Sequence, residues 1–353
     1  MFATLKGEVN LVEILVSKGA NLDEQDNEGR TALSFAIECG HVEIASFLIE
    51  KTTELNSRFA RDWTALNFAV ELNNYDVVKL LMKYGANCNI LTNGQGPVHR
   101  ATQDSHLKIF QLLVSEGGVD VNIKDKQGWT PLHLAAKKNA ISIGKWLISQ
   151  NADVNCKDKS QGTPLDSAAI KNHYEFCEIL ISAGANVNHQ DAYCFSPLHW
   201  AVRGNSVESA KVLVNAGARL NVRQDEGLTA LHLAIRQNNH QLIHFFVSSG
   251  ADVNIPDIKG VTPFHLVCEK GDNYLTRLLC RFGADLKLRK RSGETAFDIV
   301  KQTTHSQELL WFMKIYELLL CLLSARLFFR LGNHSQVKNL PLELIKKLIL
   351  CLQ

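Results

Sequence analysis

Apolar and polar positions follow a pattern that returns about every 33 residues along most of this chain. The stretch 125–157 shows one period. It opens with a polar turn, Asp125 to Gly128, in which glycine supplies a permissive backbone. Thr130 then suits a helix N-cap, and Pro131 the first helical position, where a missing N–H costs nothing. Leu132, Ala135 and Ala136 follow at helical spacing, and the alanines allow close helix–helix approach. Ile141, Ile143, Trp146, Leu147 and Ile148 predict a second short helix. Asn151 stands where most copies carry a C-terminal glycine (Gly184, Gly217, Gly250, Gly283), and both types tolerate the left-handed conformation that ends a helix.

The best-kept part of the pattern reads Thr130-Pro131-Leu132-His133. It returns as Thr163-Pro164-Leu165, Ser196-Pro197-Leu198-His199, Thr229-Ala230-Leu231-His232 and Thr262-Pro263-Phe264-His265. Weaker copies start at Thr31, Thr64, Gly96 and Thr295. A fixed period of this length predicts a stacked array of helix pairs, not one globular core. Three copies depart from it: Asp62-Trp63 replaces the turn glycine before Thr64, the unit from 158 has its glycine one place late at Gly162, and Gly117-Gly118 adds a glycine.

These residues resemble the ankyrin repeat family: the turn glycine, the T-P-L-H run, the paired alanines, the glycine C-cap and the closing A-D-V-N all match. The resemblance implies an all-α ankyrin-repeat solenoid with β-hairpin-like turns. Eight complete units lie at 26–290, a partial repeat at 1–25, an altered last repeat from 291 to 305, and a helical cap or tail at 306–353. Met1-Phe2-Ala3 falls inside what would be a first helix, so a truncated or alternatively started chain is expected.

Composition narrows the function. Lys plus Arg total 38 and Asp plus Glu 36, a net charge of only +2, which disfavours a nucleic-acid binder. Nine cysteines without metal-ligand spacing, and no signal peptide, point to a reducing compartment, the cytoplasm. The basic run Leu286–Arg291 would suit nuclear import or a solvated hairpin tip. No P-loop, kinase, acyltransferase or G-x-S-x-G motif occurs, so neither an enzyme nor a cofactor is expected. His99, His133, His199, His232 and His265 recur in register, which predicts one repeated structural hydrogen bond, not a metal site.

Function then falls to a protein partner on the face made by turn tips and first helices. The anchors expected there are Trp63, Trp129, Tyr193 and Phe195 on tips, and Arg100, Trp200, Arg203 and Arg236 on or near first helices. Trp63 and Trp129 share one turn position and are expected to be exposed. Trp200 occupies the slot that holds Leu134 and Leu233 in sister units, where packing alone would also explain it. Asn155, Asn188 and Asn221 close their repeats and should brace the turn by side-chain hydrogen bonds. The ankyrin resemblance adds that such asparagines can be hydroxylated, and Leu147, Leu180 and Leu213, eight residues upstream, fit that preference.

The tail breaks the period. Residues 306–330 are strongly apolar, interrupted by Lys314, Glu317 and Arg326, and read as a cap helix; the alternative is a membrane-associated adaptor anchored by 309–331. Further on, Leu344, Ile345, Leu348, Ile349 and Leu352 form one apolar stripe behind Leu340-Pro341. This segment resembles the opening of an F-box, and an F-box-like end after ankyrin repeats is similar to the poxvirus-type PRANC arrangement. That resemblance implies that Leu340, Pro341, Leu344, Ile345 and Leu348 bind a Skp-type adaptor of a cullin–RING ubiquitin ligase, with the repeats choosing the substrate. The Leu-x-x-x-Cys start of a SOCS box does not fit, because Glu317 and Lys347 hold the leucine position.

Overall fold

A computed structural model describes residues 1–58, 62–302 and 307–330, with side chains as far as Leu318. Among the described residues there are twenty helices and no strand beyond isolated bridges. The chain divides into two units, Met1–Asn186 and Val187–Gln353, each a stack of paired short helices.

The pair Pro131–Lys138 and Ile141–Ser149 is representative. Thr130 sits extended at φ −90° and ψ 165°, and Pro131 opens the helix. A left-handed residue, Asn139 at φ 57°, turns the chain into the second helix. Asn151 ends that helix at φ 61°, as its place in the period predicts. The apolar faces close between helices: Leu132, Ala135, Ala136, Ile143 and Leu147 are all buried. The alanines leave no side chain to hold the helices apart, and dense packing of this kind is worth about 25 cal/mol per Å² of apolar surface removed from water.

Three sets of polar contacts join neighbouring repeats within a unit. The first runs through the histidines. His133 Nδ1 accepts the Thr130 N–H at 3.2 Å, so the proton must sit on Nε2, which donates to the Gly162 carbonyl of the following repeat at 3.2 Å. In the second unit His199, His232 and His265 donate in the same way to Leu228, Val261 and Leu288. The repeated histidine is therefore a structural link, as its register predicts.

The second set joins the turn tips. Asp125 Oδ1 accepts the N–H groups of Gln127 and Trp129, both at 2.8 Å, and so folds its own tip. The Lys126 N–H then donates to Gly94 in the preceding tip, and Gln127 accepts from Lys159 in the next. Glycine is needed at Gly260 for two reasons: its φ is +77°, and a Cβ there would stand 2.9 Å from the Arg291 nitrogen of the adjoining tip. Where the glycine is absent the backbone keeps its shape with another residue. Asp62 (φ 61°), Gln161 (φ 62°) and Cys194 (φ 57°) take the left-handed position, so the late glycine at 162 does not shift the turn.

The third set is made by the closing asparagines. Asn155 Nδ2 donates to the Gly184 carbonyl at 3.1 Å, and its Oδ1 accepts the Asn186 N–H at 2.8 Å. Asn188 clips Gly217 and Arg219 in the same way, and Asn221 accepts from the Asp252 N–H.

The second unit ends in a cap. Helix Gln307–Arg330 buries Leu309, Phe312, Met313 and Tyr316, and the Tyr316 hydroxyl donates to the Cys280 carbonyl. Arg277 lies over the Phe312 ring at 5.1 Å and pairs with Glu308. The expected cap helix is thus present. The alternative of a membrane anchor at 309–331 finds no support in it: among the described residues no helix is long and apolar enough to cross a membrane, and Leu309, Phe312 and Met313 at the start of this one are buried. The segment carrying Leu340, Pro341, Leu344, Ile345 and Leu348 lies outside the described residues.

Burial holds all five repeated histidines below the ordinary imidazole range, and carries His199 and His232 from 6.5 to about 4. Below about pH 6.5 the unfolded chain takes up protons that the folded chain refuses until about pH 4. Stability is therefore complete above pH 6.5 and declines as pH falls through that window, by up to about 1.4 kcal/mol per pH unit for each such histidine. Urea midpoints at pH 7.5 and 5.0 check this: a marked fall is expected, and equal midpoints would contradict it. Gly260→Ala should cost about 1–3 kcal/mol in the same assay, because left-handed strain adds to a backbone clash. Gly184→Ala, also left-handed but facing open space, should cost less.

Candidate protein-binding groove

In the second unit, two neighbouring repeats leave a groove of about 610 Å³ between their tips and first helices. Its position follows from the 33-residue period. Phe195 and Leu228 occupy the same tip position one repeat apart, as do Trp200 and Leu233, and Arg203 and Arg236, on the first helices Pro197–Arg203 and Ala230–Arg236. All six line the groove together with Tyr193.

Asp191 builds the aromatic wall. Its Oδ1 accepts the N–H groups of Tyr193 at 2.8 Å and Phe195 at 2.9 Å, which folds the tip. Its Oδ2 accepts the indole Nε1–H of Trp200 at 3.0 Å, which fixes the ring on the helix. Phe195 and Trp200 then lie 5.2 Å apart, and the Arg203 guanidinium covers both, 5.8 Å from Phe195 and 5.1 Å from Trp200. Such cation–aromatic stacking, worth about 0.5–1 kcal/mol at an exposed site, offsets part of the rotamer entropy lost in fixing a long side chain. Tyr193 stands 59% exposed at the rim.

The opposite wall is mixed. Leu233 supplies apolar surface above the buried Leu228, and Asp225 and Glu226 stand on the tip. Arg236 is only loosely paired, 3.9 Å from both Glu226 and Asp257. Beside the groove, the hydrogen bond to Asp225 pushes the Cys194 thiol above its ordinary range, so it is a poor nucleophile. The arrangement suits the capture of an apolar side chain between rings and leucines, with charged groups at the rim to orient it.

Five of the eight sequence-selected anchors, Tyr193, Phe195, Trp200, Arg203 and Arg236, therefore share one groove. Trp63 and Trp129 do not belong to it, and neither is the exposed tip residue expected. Trp63 is buried because Arg100, from the next repeat, lies over its ring at 4.6 Å and is held there by Glu71 at 3.2 Å. Trp129 is half-buried, its Nε1–H donating to Asp158 in the next tip at 2.9 Å while Lys137 covers its face at 4.4 Å. Both tip tryptophans thus hold neighbouring repeats together, Trp129 through the next tip and Trp63 through the next first helix. Sequence reasoning missed Leu228 and Leu233; stepping one period on from Phe195 and Trp200 would have found both.

Comparisons with known proteins agree with this geometry. The family described as ankyrin repeats (3 copies) matches residues 1–92, 66–158, 98–191 and 191–257, and ankyrin repeats (many copies) matches 248–300. Rabankyrin-5 of Homo sapiens is 41% identical over 56 residues, 16% of this chain and 5% of that protein. Protein phosphatase 1 regulatory subunit 27 of Homo sapiens is 37% identical over 60 residues, 17% of this chain and 38% of that protein. Alpha-latrocrustotoxin-Lt1a of Latrodectus tredecimguttatus is 35% identical over 72 residues, 20% of this chain and 5% of that protein. The chain covers well under two thirds of each of these relatives. Matches in register from residue 1 to residue 300, on stacked helix pairs joined by histidine, tip and asparagine contacts, show a module for protein–protein interaction: the chain belongs to the ankyrin repeat family.

Proposed function

We propose that this chain is a non-enzymatic adaptor that holds a protein partner in the groove between Tyr193 and Gln237. The observation that carries this reading is Trp200. Leucine serves the scaffold at the same position in sister repeats, so the indole, its Asp191 hydrogen bond and the Arg203 stack are extra to folding. Tryptophan and arginine grouped in a half-open pocket are the usual composition of an interface anchor.

In this reading repeats 26–290 choose the partner and the tail 306–353 decides its fate. The F-box-like pattern at Leu340, Pro341, Leu344, Ile345 and Leu348 supports recruitment of a Skp-type adaptor and a cullin–RING ubiquitin ligase, with the bound partner as substrate. The setting is the cytoplasm or nucleus, supported by nine cysteines of odd count and irregular placement without metal-ligand spacing. Hydroxylation of Asn155, Asn188 or Asn221 would act on side chains already clipped to the next repeat, so it would modify the scaffold and not the groove.

Proximity labelling in cells tests the groove. A Trp200→Ala, Arg203→Ala double variant should lose the most strongly labelled proteins by at least about tenfold, the scale of a removed hot spot. Its thermal midpoint should stay within a few degrees of the parent. An unchanged set of labelled proteins from a folded variant would sink the reading. For the tail, Skp-type adaptor recovered in a pull-down should drop to background on truncation to 1–305, and equal recovery from both chains rules that role out.

A further inference from the structure

Positive charge in the first unit is gathered in one place. Residues 121–160 hold seven lysines and three aspartates, with no arginine or glutamate, so this stretch carries +4 where the whole chain carries +2. Two of the aspartates are committed to the scaffold. Asp125 folds its tip through the N–H groups of Gln127 and Trp129, and Asp158 through those of Ser160 and Gly162. Contacts between repeats then bring five of the lysines together. The Lys159 N–H donates to the Gln127 carbonyl, so Lys126 and Lys159 stand on tips joined by their backbones. The Lys124 ammonium reaches the Lys157 carbonyl at 2.9 Å, and Lys137 lies over the Trp129 ring at 4.4 Å. All five are exposed, and among the described residues none makes an ion pair. Other cations on tips and first helices are answered: Arg30 by Asp26, Arg58 by Asp62, Arg100 by Glu71 and Lys290 by Glu269. Like charges set side by side weaken a fold through self-repulsion, so folding does not account for this cluster.

We propose that the lysine-bearing tips at 124–127 and 157–160, with Trp129 and Lys137 behind them, bind an acidic protein segment rich in Asp and Glu. Charge complementarity names the occupant. Five ammonium groups are mobile point charges that carboxylates can meet from any side, whereas planar, bidentate recognition of phosphate favours arginine. No arginine lies between Arg100 and Arg203. A nucleic acid would also need a basic stripe along its backbone, and the tip before this one, Thr92 to Gly96, is uncharged. Two periods on, Asp225 and Glu226 of the groove stand where Lys159 and Ser160 stand here, so the two surfaces differ in the charge of their rims. The proposal does not rest on the groove reading, and the acidic segment is a separate ligand in the test.

Fluorescence anisotropy of a labelled polyglutamate peptide, titrated with the full chain, is the test. Binding is expected at low ionic strength and should weaken steadily as salt is raised past about 0.15 M. A Lys126→Glu, Lys159→Glu double variant should raise the dissociation constant at least about tenfold. Its circular dichroism should match the parent, because both side chains are exposed. Lys18→Glu, at an exposed lysine elsewhere in the first unit, should change binding by no more than about twofold. The Trp200→Ala, Arg203→Ala variant should bind the peptide as the parent does, which keeps this surface and the groove distinguishable; a loss there assigns the peptide to the groove and overturns the proposal. Absence of binding at low salt overturns it, as does equal binding by the double charge reversal. Tighter binding of a poly-dT oligonucleotide than of the peptide overturns it in favour of a nucleic acid.

Discussion

A histidine ring with one nitrogen in each of two repeats is the bond on which this architecture turns. His133 accepts a hydrogen bond from its own N-cap N–H and donates one to the carbonyl of the next repeat. Its neutral form is thus the only one that satisfies both neighbours, and burial enforces that form. No single helix pair closes its own polar groups. Tip amides and closing carbonyls are completed from the adjoining copy, so a repeat is stable only as a member of a stack. The short helices, seven to nine residues for the most part, would be marginal alone and are held by this coupling.

The same dependence explains what could be read from sequence. Period, helix caps, paired alanines and left-handed stops are local features, and each repeats, so errors in one copy are corrected by its sisters. The histidine and asparagine roles were legible for that reason. Gln161 and Cys194 were harder, because a side chain in the left-handed position looks like a broken turn until Asp158 and Asp191 are seen to hold the tip on their own.

Anchor residues were legible in composition and not in exposure. Trp63 and Trp129 share a period position with Phe195, yet Arg100 covers Trp63, while the tip of Asp158 and Lys137 hold Trp129. Those partners lie about a repeat away or on the helix behind the tip, and a single sequence does not show which way a ring turns. The groove residues follow the period instead, Phe195 and Leu228, Trp200 and Leu233, and Arg203 and Arg236 each standing one repeat apart along it.

Asp191 separates two jobs that most proteins leave mixed. Its carboxylate folds the tip through backbone N–H groups alone, so the side chains at Tyr193 and Phe195 contribute nothing to the turn's shape. Those positions can change identity without altering the loop that carries them. A lineage can therefore explore new partners by substitution at a few tip sites while the stack behind them stays fixed, and a laboratory library randomised at 193, 195, 200 and 226 would sample binding with little loss to misfolding.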